Sequence, residues 1–460
     1  MLLASIIAYL LLTILIGYWA SRKVKTSGDF MLAGRSLPIF LSASALFATW
    51  FGSETVFGAS SEFLKGGLYS VIEDPFGAAL CLLLFGLFFA RKLYSMNLLT
   101  LGDFFKVRFG NRTELVASFF LAPPYVGYIA AQLVAMGLII NVVTGLEVWQ
   151  GVVISAFVVT FYTYIGGMWA ISITDFFQSI VIVVGLLALA IILANKAGGV
   201  TVVLQGVHPS TFRFLPEWNF KEVMLYLAAW SVLGLGSLPS QDIFQRVMSS
   251  GSQKIAVRSC FIAAGLYLTV AMLPLFIGLC AKHLYPQTTS IDAQLALPNM
   301  VLAHASLPIQ ILFFGSLLSA IMSTTSSAIL APAAIFSENL IKPLSKGKLK
   351  DKQLLIITRL CVLGFAGVAT VMACLRTNIY ELVGESSILS LVSLLAPLVL
   401  GLYWKTANGN GALLAMVLGT ITLAFFSFYD VGWPALIPAT SVSFLAMIGG
   451  SLFLKTKEFV

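Results

Sequence analysis

The chain has 460 residues, of which 59% are apolar and only 10% are charged. Because a soluble domain normally carries about 25% charged residues, this composition excludes a soluble protein and indicates a helical integral membrane protein. The formal net charge is +8, from 27 Lys and Arg against 19 Asp and Glu. Membrane proteins collect Lys and Arg in cytoplasmic loops, so this charge does not indicate a nucleic acid partner.

Apolar runs of about 20 residues, the length of a transmembrane helix, recur along the whole chain. The predicted spans cover residues 2–20, 39–64, 71–92, 114–143, 149–168, 172–195, 223–246, 255–281, 308–337, 354–375, 379–404, 409–428 and 433–454. No basic residue precedes the first run, so we expect a retained span and not a cleaved signal peptide. We therefore predict one all-α transmembrane domain over residues 1–460, with 13 transmembrane helices.

Basic residues are distributed unevenly between the two sets of connecting loops. Twenty-one of the 27 lie in one set, which includes Arg22, Lys23 and Lys25 and the run from Lys342 to Lys352, and six lie in the other. The positive-inside rule then predicts an N-terminus outside and a C-terminus in the cytoplasm. We expect the protein in the plasma membrane, which is the inner membrane of a bacterium.

The second predicted span, 39–64, combines small residues and hydroxyls with a carboxylate, Glu54, near mid-membrane depth. Gly52 and Gly58 weaken this helix. Small residues alone would serve close helix packing, but that interpretation leaves the carboxylate unexplained, since charged groups in a membrane are costly. We therefore predict a broken helix that lines a cavity.

The seventh predicted span, 223–246, is interrupted by Gly234, Gly236 and Pro239. A simple proline kink is one interpretation of this segment taken alone. However, the second and seventh spans lie five spans apart and both look interrupted. Paired discontinuous helices in corresponding halves of a chain are typical of inverted-repeat transporters.

The ninth predicted span, 308–337, carries five consecutive hydroxyl residues, from Ser323 to Ser327. Hydroxyls that bond back to their own helix are one interpretation. Combined with carbonyls freed by a broken second span, they would instead offer oxygen ligands for a hard cation. No carboxylate is adjacent in the sequence, and a proton-coupled site would normally need one to titrate. This pattern favours Na⁺ over H⁺ as the coupling ion.

A further polar segment runs from Tyr164 to Gln178, and within it Asp175 is predicted to open the sixth span near the cytoplasmic face. One interpretation is a carboxylate that caps the N-terminus of a helix. The other is a carboxylate that guides a cation out to the cytoplasm. The two interpretations carry equal weight on the sequence alone.

Five stretches in chain order resemble the sodium:solute symporters, a family with the LeuT-like fold of two inverted five-helix repeats. They are Gly28 to Pro38, Tyr164 to Gln178, Gln245 with Arg246, the Ser323-Thr324 region, and Gly401 to Lys405. The resemblance implies a first repeat over 39–195 and an inverted second repeat over 223–404. One extra helix at 2–20 precedes them, and two peripheral helices within 409–454 follow.

The resemblance implies one Na⁺ held between the first core helix and the ninth span, and no organic cofactor. The implied ligands are the carbonyls of Ala48, Phe51 and Ala320 and the hydroxyls of Ser323 and Thr324. Asp175 matches an acidic position that family members use in sodium release. The three histidines lack the spacing of metal ligands, so we expect no other metal site.

Substrate positions follow less directly from the resemblance. The expected set is Trp50, Glu54, Thr55, Tyr128, Gln132, Ser240, Gln241 and Tyr380. The local sequence is most similar to the choline-transporter branch, where Trp50 and Tyr128 would suit an organic cation through cation–π attraction. Yet Ser240 stands where that branch has an aromatic residue, Gly236 where sugar transporters have a tyrosine, and Trp50 where proline transporters have an aspartate. The solute thus stays open among an organic cation, an amino acid such as proline, and a sugar.

The predicted function is sodium-coupled secondary active symport of a small polar organic solute by alternating access. A sodium-independent uniporter or a channel is the alternative, although a channel would favour repeated rings of polar residues. A membrane enzyme would need a base with a nucleophile or a metal cluster inside the spans. The expected partners are the solute, Na⁺ and membrane lipid, without a nucleic acid or an obligate protein partner.

Overall fold

The computed structural model describes residues 2–286, 293–345, 349–376, 378–429, 432 and 434–454. In these residues ten helices are long and apolar enough to cross a membrane. They are Leu3–Ser21, Leu68–Ser95, Asn111–Thr144, Thr163–Lys196, Gln253–Leu284, Leu307–Leu344, Asp351–Leu375, Glu381–Tyr403, Gly409–Phe428 and Leu436–Phe453. The all-helical membrane architecture is confirmed, and the remaining three predicted spans take other forms.

The second predicted span is a broken helix, as the sequence predicts. An α-helix over Ile39–Phe47 ends in a turn that covers residues 48–52. The chain then resumes as a π-helix over Glu54–Ala59 and an α-helix over Ser60–Gly66. Because the turn leaves the regular helical hydrogen-bond pattern, its backbone carbonyls are available to other partners.

The seventh predicted span is also broken. A helix over Phe220–Gly234 is followed by a turn over residues 235–240 and by a second helix over Gln241–Met248. Pro239 lies in the turn and has no N–H to offer a helix. Gly236 approaches the backbone carbonyl oxygen of Ser387 so closely that a side chain there would collide with it. Both interruptions predicted from glycine and proline are therefore confirmed.

The fifth and sixth predicted spans form one helical run of 49 residues over Val148–Lys196. The chain changes direction inside this run at Gly167, where φ is 51° and ψ is −155°. This conformation is accessible almost only to glycine. Asp175 consequently lies inside a helix, and its interpretation as a helix N-cap is wrong.

The helix Leu307–Ile335 occupies the interior of the molecule. Every residue from Phe313 to Ile335 is buried, which distinguishes it from the peripheral helices, whose outer faces are exposed. It contacts Val148–Lys196 and Pro124–Thr144. The hydroxyl residues of this helix are therefore surrounded by other parts of the protein.

A short backbone bridge ties the segment before the second span to the end of the seventh. The Leu37 N–H donates to the carbonyl oxygen of Ser249 at 3.0 Å, and the Gly251 N–H donates to the carbonyl oxygen of Leu37 at 2.8 Å. The Tyr94 hydroxyl donates to the Ser250 carbonyl at 2.8 Å. We call this pairing the Leu37 bridge, and it joins the segment just before the first predicted repeat to the second predicted repeat.

Several loops contain short helices that hydropathy does not reveal. They are Ser27–Leu32, Leu101–Phe109, Val200–Gln205 and Ala293–His304. Two of them begin with a capping box, formed by Thr26 with Asp29 and by Thr100 with Asp103. Such a box satisfies the first free N–H groups of a helix.

Candidate cation site and solute cavity

The hydroxyl cluster of the ninth predicted span faces the break in the second. The Thr324 hydroxyl oxygen lies 3.0 Å from the carbonyl oxygen of Ala48 and 3.1 Å from that of Ala320. All three residues are buried. The structure thus brings together three of the five predicted sodium ligands. These are neutral hard oxygens, the donor type that suits a hard cation.

The other residues of the break also pack closely. Phe51 is buried, and its ring lies 4.9 Å from that of Phe47 and 5.8 Å from that of Tyr267, centroid to centroid. Gln132 Oε1 accepts a hydrogen bond from the Ser53 N–H at 3.0 Å. The aromatic contacts and this amide hold the turn in place.

Gly52 is the residue that permits this close approach. A Cβ atom at Gly52 would lie 2.7 Å from Gln132 Oε1 and 2.9 Å from Thr324 Oγ1. Both distances are below those of ordinary van der Waals contacts. A side chain at position 52 would therefore have to displace Gln132 or Thr324, so glycine lets the second span approach the hydroxyl cluster this closely.

Ser323 points to a carboxylate and not to the break. Its hydroxyl donates to Asp175 Oδ1, while Arg246 Nη2 lies 3.4 Å from Asp175 Oδ2. The side chains of Arg246 and Asp175 are only 1% and 0% exposed. The sequence argument that no carboxylate adjoins the hydroxyl cluster is wrong, because folding places Asp175 against it. The guanidinium balances the charge of that carboxylate.

The remaining hydroxyls of the cluster bond to their own helix. Thr325 donates to the Ile321 carbonyl at 2.5 Å, and Ser326 donates to the Ser323 carbonyl at 2.9 Å. Ser327 bonds to carbonyls three and four residues before it. For these three the interpretation as ordinary back-bonding hydroxyls applies.

A narrow cavity lies where the two broken helices meet. Its lining comes from both breaks, from the fourth predicted span and from the helix Ile379–Tyr403. The lining residues are Trp50, Glu54, Leu121, Pro124, Tyr125, Tyr128, Leu233, Gly236, Ser237, Pro239, Ser240, Asp242, Val383, Ser386, Ser387 and Ser390. A concave site with a few convergent polar groups is typical of a small-molecule pocket.

Four of the predicted substrate residues line this cavity: Trp50, Glu54, Tyr128 and Ser240. Three others are engaged elsewhere: Thr55 with the Tyr267 hydroxyl at 2.7 Å, Gln132 with the Ser53 N–H, and Gln241 with the Leu101 N–H at 2.7 Å. The side chain of Tyr380 lies outside the described residues. Thr55, Gln132 and Gln241 therefore connect elements of the protein to each other and do not line the cavity.

Asp242 is the main cavity residue that the sequence reasoning missed. Its side chain is 3% exposed. Its Oδ2 accepts from Trp50 Nε1 at 3.1 Å, and its Oδ1 accepts from the Tyr125 hydroxyl at 2.9 Å. The available signal was an acidic residue in the first turn of a helix that follows a break, where the helix dipole stabilises negative charge.

The facing wall of the cavity also escaped prediction. Ser386, Ser387 and Ser390 contribute hydroxyls from the helix Ile379–Tyr403. Ser386 and Ser390 lie four residues apart and therefore share one face of that helix. This spacing was the signal in the sequence.

Three further buried groups, Glu54, Asp74 and Tyr267, lie beside Thr55. Glu54 is 2% exposed and its Oε1 has no hydrogen-bond partner in the described part of the chain. Asp74, which is fully buried, accepts from the Tyr267 hydroxyl at 2.6 Å. Tyr267 in turn contacts Thr55. Among the described residues no group of three or more His, Cys, Asp or Glu is placed to hold a metal ion.

The family model described as the sodium:solute symporter family matches residues 30–419. The human high affinity choline transporter 1 is 30% identical over 440 residues, which cover 91% of this chain and 75% of that protein. The high-affinity proline transporter PutP of Bacillus subtilis is 29% identical over 439 residues, which cover 90% of this chain and 89% of that protein. Both relatives are transporters.

Among solved structures, a Na⁺-coupled sialic acid symporter in a substrate-bound outward-open state superposes with a TM-score of 0.88. It is 19% identical, and the match covers 98% of each chain. The transporter Mhp1, of the nucleobase-cation-symport-1 family, matches with a TM-score of 0.54 at 17% identity. These likenesses show the LeuT-like transporter fold.

Proposed function

The chain belongs to the sodium:solute symporter family and is a sodium-coupled symporter of a small solute, and we propose how its residues perform this coupling. The proposed architecture has 13 membrane crossings. A first repeat over 39–195 and an inverted second repeat over 223–404 form the core. One helix at 2–20 precedes the core, and two helices within 409–454 follow it.

The proposed sodium site lies between the break of the second span and the ninth span. Its ligands are the carbonyls of Ala48, Phe51 and Ala320 and the hydroxyls of Ser323 and Thr324. The observation that carries this proposal is the contact of Thr324 Oγ1 with the Ala48 and Ala320 carbonyls at 3.0 and 3.1 Å. A Na⁺ there would be attracted by all of these oxygens at once, with the Thr324 hydroxyl hydrogen turned away from the ion.

Coupling follows from the position of this site beside the solute cavity. Trp50 and Glu54 line the cavity and belong to the same interrupted segment as Ala48. Sodium that fixes the turn also fixes the cavity wall, so the two ligands bind cooperatively and reciprocally. The sodium gradient and the membrane potential then drive import, at about 2.3 kcal/mol per charge for each 100 mV.

Asp175 has a proposed role in sodium release toward the cytoplasm. It accepts the Ser323 hydroxyl and pairs with Arg246. Ser323 can therefore turn between Asp175 and the sodium site. When the Ser323 hydroxyl turns toward Asp175, it leaves the Na⁺, and the Asp175 carboxylate can take its place as an oxygen ligand. This exchange would lower the energetic cost of Na⁺ release, because the ion is never without an oxygen ligand.

The test compares two neighbouring threonines in the same helix. Thr324→Ala removes a proposed ligand, whereas Thr325→Ala removes a hydroxyl that bonds only within its helix. We expect Thr324→Ala to raise the sodium concentration needed for half-maximal thermal stabilisation by about tenfold or more. Thr325→Ala should respond as the wild-type protein does.

The measurement is the melting temperature of purified protein titrated with NaCl at constant ionic strength, with KCl as the balancing salt. A Thr324→Ala protein with the wild-type sodium midpoint would show that this hydroxyl is not a ligand. Repeating the titration with a panel of small solutes identifies the cargo, since a coupled solute stabilises the protein only when sodium is present.

A further inference from the structure

The buried charges around the cavity do not balance. Five carboxylates are at most 3% exposed: Glu54, Asp74, Glu114, Asp175 and Asp242. Two of them have a cationic partner, since Asp175 lies 3.4 Å from Arg246 and Glu114 lies 3.3 Å from Lys106. In the described residues the other three have no basic nitrogen within 4.0 Å.

The three unpaired carboxylates lie at and behind the cavity. Glu54 lines it from the break in the second span, and Asp242 lines it from the break in the seventh. Asp74 accepts a hydrogen bond from the Tyr267 hydroxyl, which also contacts the Thr55 hydroxyl. Buried charges are stable only when they are paired or strongly hydrogen-bonded. One sodium ion at the proposed site supplies one positive charge, so at least two of these carboxyl groups remain to be satisfied by a cationic ligand, by hydrogen bonds or by a bound proton.

Glu54 is the group that most clearly lacks a partner. Asp242 accepts from Trp50, from Tyr125 and from the Ile243 N–H. The Glu54 carboxyl group makes no hydrogen bond to the described residues, and Glu54 is one of the residues that line the cavity. A buried acceptor without a donor is costly, so a ligand that supplies a donor gains that energy on binding.

The rest of the lining separates two kinds of cation. Trp50, Tyr125 and Tyr128 present aromatic rings near the carboxylates, and rings attract any ammonium group. The facing wall consists of serine hydroxyls at 386, 387 and 390 instead of further rings. A quaternary ammonium has no N–H and would leave the Glu54 carboxyl group without a hydrogen-bond donor. A primary ammonium can donate a hydrogen bond to this group and still contact the rings.

We propose that the solute is an organic cation that carries N–H donors, a primary ammonium compound, whose nitrogen binds between Glu54 and Asp242. This inference rests on the proposed function, because it names the class of solute for the same cavity. Charge-assisted hydrogen bonds from the ammonium to the Glu54 carboxylate provide the selectivity over quaternary ammonium compounds. Hydroxyl groups on the solute would meet the serine wall.

The experiment uses matched pairs of probes that differ only in methylation of the nitrogen. Ethanolamine is compared with choline, and propylamine with propyltrimethylammonium, while proline and glucose represent a zwitterion and a neutral sugar. Each is titrated against full-length purified protein in NaCl and again in KCl, with melting temperature as the readout. We expect a primary amine to stabilise the protein at a concentration about tenfold lower than its trimethyl counterpart.

Three variants locate the effect. Glu54→Gln keeps the shape but removes the charge, and we expect it to weaken the response to the amine by about tenfold or more while the sodium response persists. Glu54→Asp keeps the charge and should retain part of the response. Glu114→Gln alters a buried carboxylate away from the cavity and should respond to the amine as the wild-type protein does.

Equal or stronger stabilisation by the trimethyl compounds would overturn the proposal, as would a wild-type amine response in Glu54→Gln. Stabilisation by proline or glucose, with no response to the amines, would overturn it in favour of those solutes. If NaCl does not stabilise the wild-type protein more than KCl does, the proposed sodium coupling is contradicted. The titrations in KCl would still rank the amines against their trimethyl counterparts, so failure of the sodium proposal can be distinguished from failure of the solute proposal.

Discussion

At the scale of single residues, the ion pair of Asp175 with Arg246 connects the two halves of the chain. Asp175 belongs to the first predicted repeat and Arg246 to the second, and both are almost completely buried. Burying two charges costs several kcal/mol each, and their attraction repays this cost only while both are present. The same pair holds Ser323 beside the proposed sodium site.

We predict that Arg246→Gln lowers the free energy of unfolding by about 3–5 kcal/mol, because it leaves a buried carboxylate without its cation. The double variant Asp175→Asn, Arg246→Gln should recover part of this loss. Arg213→Gln is the control, since that arginine is 42% exposed in its pairs with Glu217 and Glu222. Exposed pairs contribute at most about 1 kcal/mol. Thermal or denaturant unfolding in detergent measures all four proteins, and equal losses in Arg246→Gln and Arg213→Gln would contradict the argument.

Residue identity alone could predict part of the site. Thr324 and the turn near Ala48 were predictable, because a hydroxyl run and a glycine-weakened helix are visible in the local sequence. The contact between Asp175 and Ser323 was not, since 148 residues separate them and only the packing of two helices brings them together. Asp242 was overlooked for the same reason: its partners Trp50 and Tyr125 lie in other elements.

At the scale of secondary-structure elements, the two broken helices depend on each other. Trp50 follows the first helical segment of its span, and Asp242 lies in the first turn of the second segment of the other span. The hydrogen bond between them joins the breaks directly. Glycine and proline made both breaks predictable, because these residues disrupt helical hydrogen bonds or weaken helices. The sharp turn inside Val148–Lys196 is a third irregularity, in a region that hydropathy divides into two spans.

Gly167 should be essential for this turn. Its φ of 51° and ψ of −155° are strained for any other residue, and a Cβ atom would lie 2.6 Å from the carbonyl oxygen of Phe30. We predict that Gly167→Ala lowers the free energy of unfolding by about 1–3 kcal/mol from backbone strain alone. Gly364→Ala, where a Cβ meets nothing within 4 Å, should not destabilise the protein. Thermal unfolding of both variants tests this prediction. Equal melting temperatures for the two variants would contradict the requirement for glycine in this turn.

At the scale of the whole molecule, charge distribution predicts orientation. The loops that carry 21 of the 27 basic residues are expected in the cytoplasm, with the N-terminus outside. The membrane architecture follows from composition, since so few charges cannot cover a soluble surface. The paired breaks in the second and seventh predicted spans indicated the proposed inverted repeats, whereas the bounds of the two repeats came only from the family resemblance.

Cysteine labelling tests this orientation. We predict that a membrane-impermeant maleimide labels Lys196→Cys in intact cells, whereas it labels Lys405→Cys only after permeabilisation. Both lysines are exposed. The variants are built on Cys374→Ser, which removes the exposed native thiol, and that parent protein is the control for background labelling. Labelling of Lys405→Cys in intact cells, with protection of Lys196→Cys, would reverse the orientation.

The Leu37 bridge has a consequence for how this transporter tolerates substitution. Its two hydrogen bonds between Leu37 and the 249–251 segment are made by main-chain atoms, so they do not depend on the side-chain chemistry of Leu37 or Ser249. Gly251 is the exception, because a Cβ atom there would lie 3.2 Å from the Leu37 carbonyl oxygen. The bridge is also weak, since main-chain hydrogen bonds contribute about 1 kcal/mol each. Breaking both bonds would cost about 2 kcal/mol, which is within the range of the coupling free energy between two bound ligands.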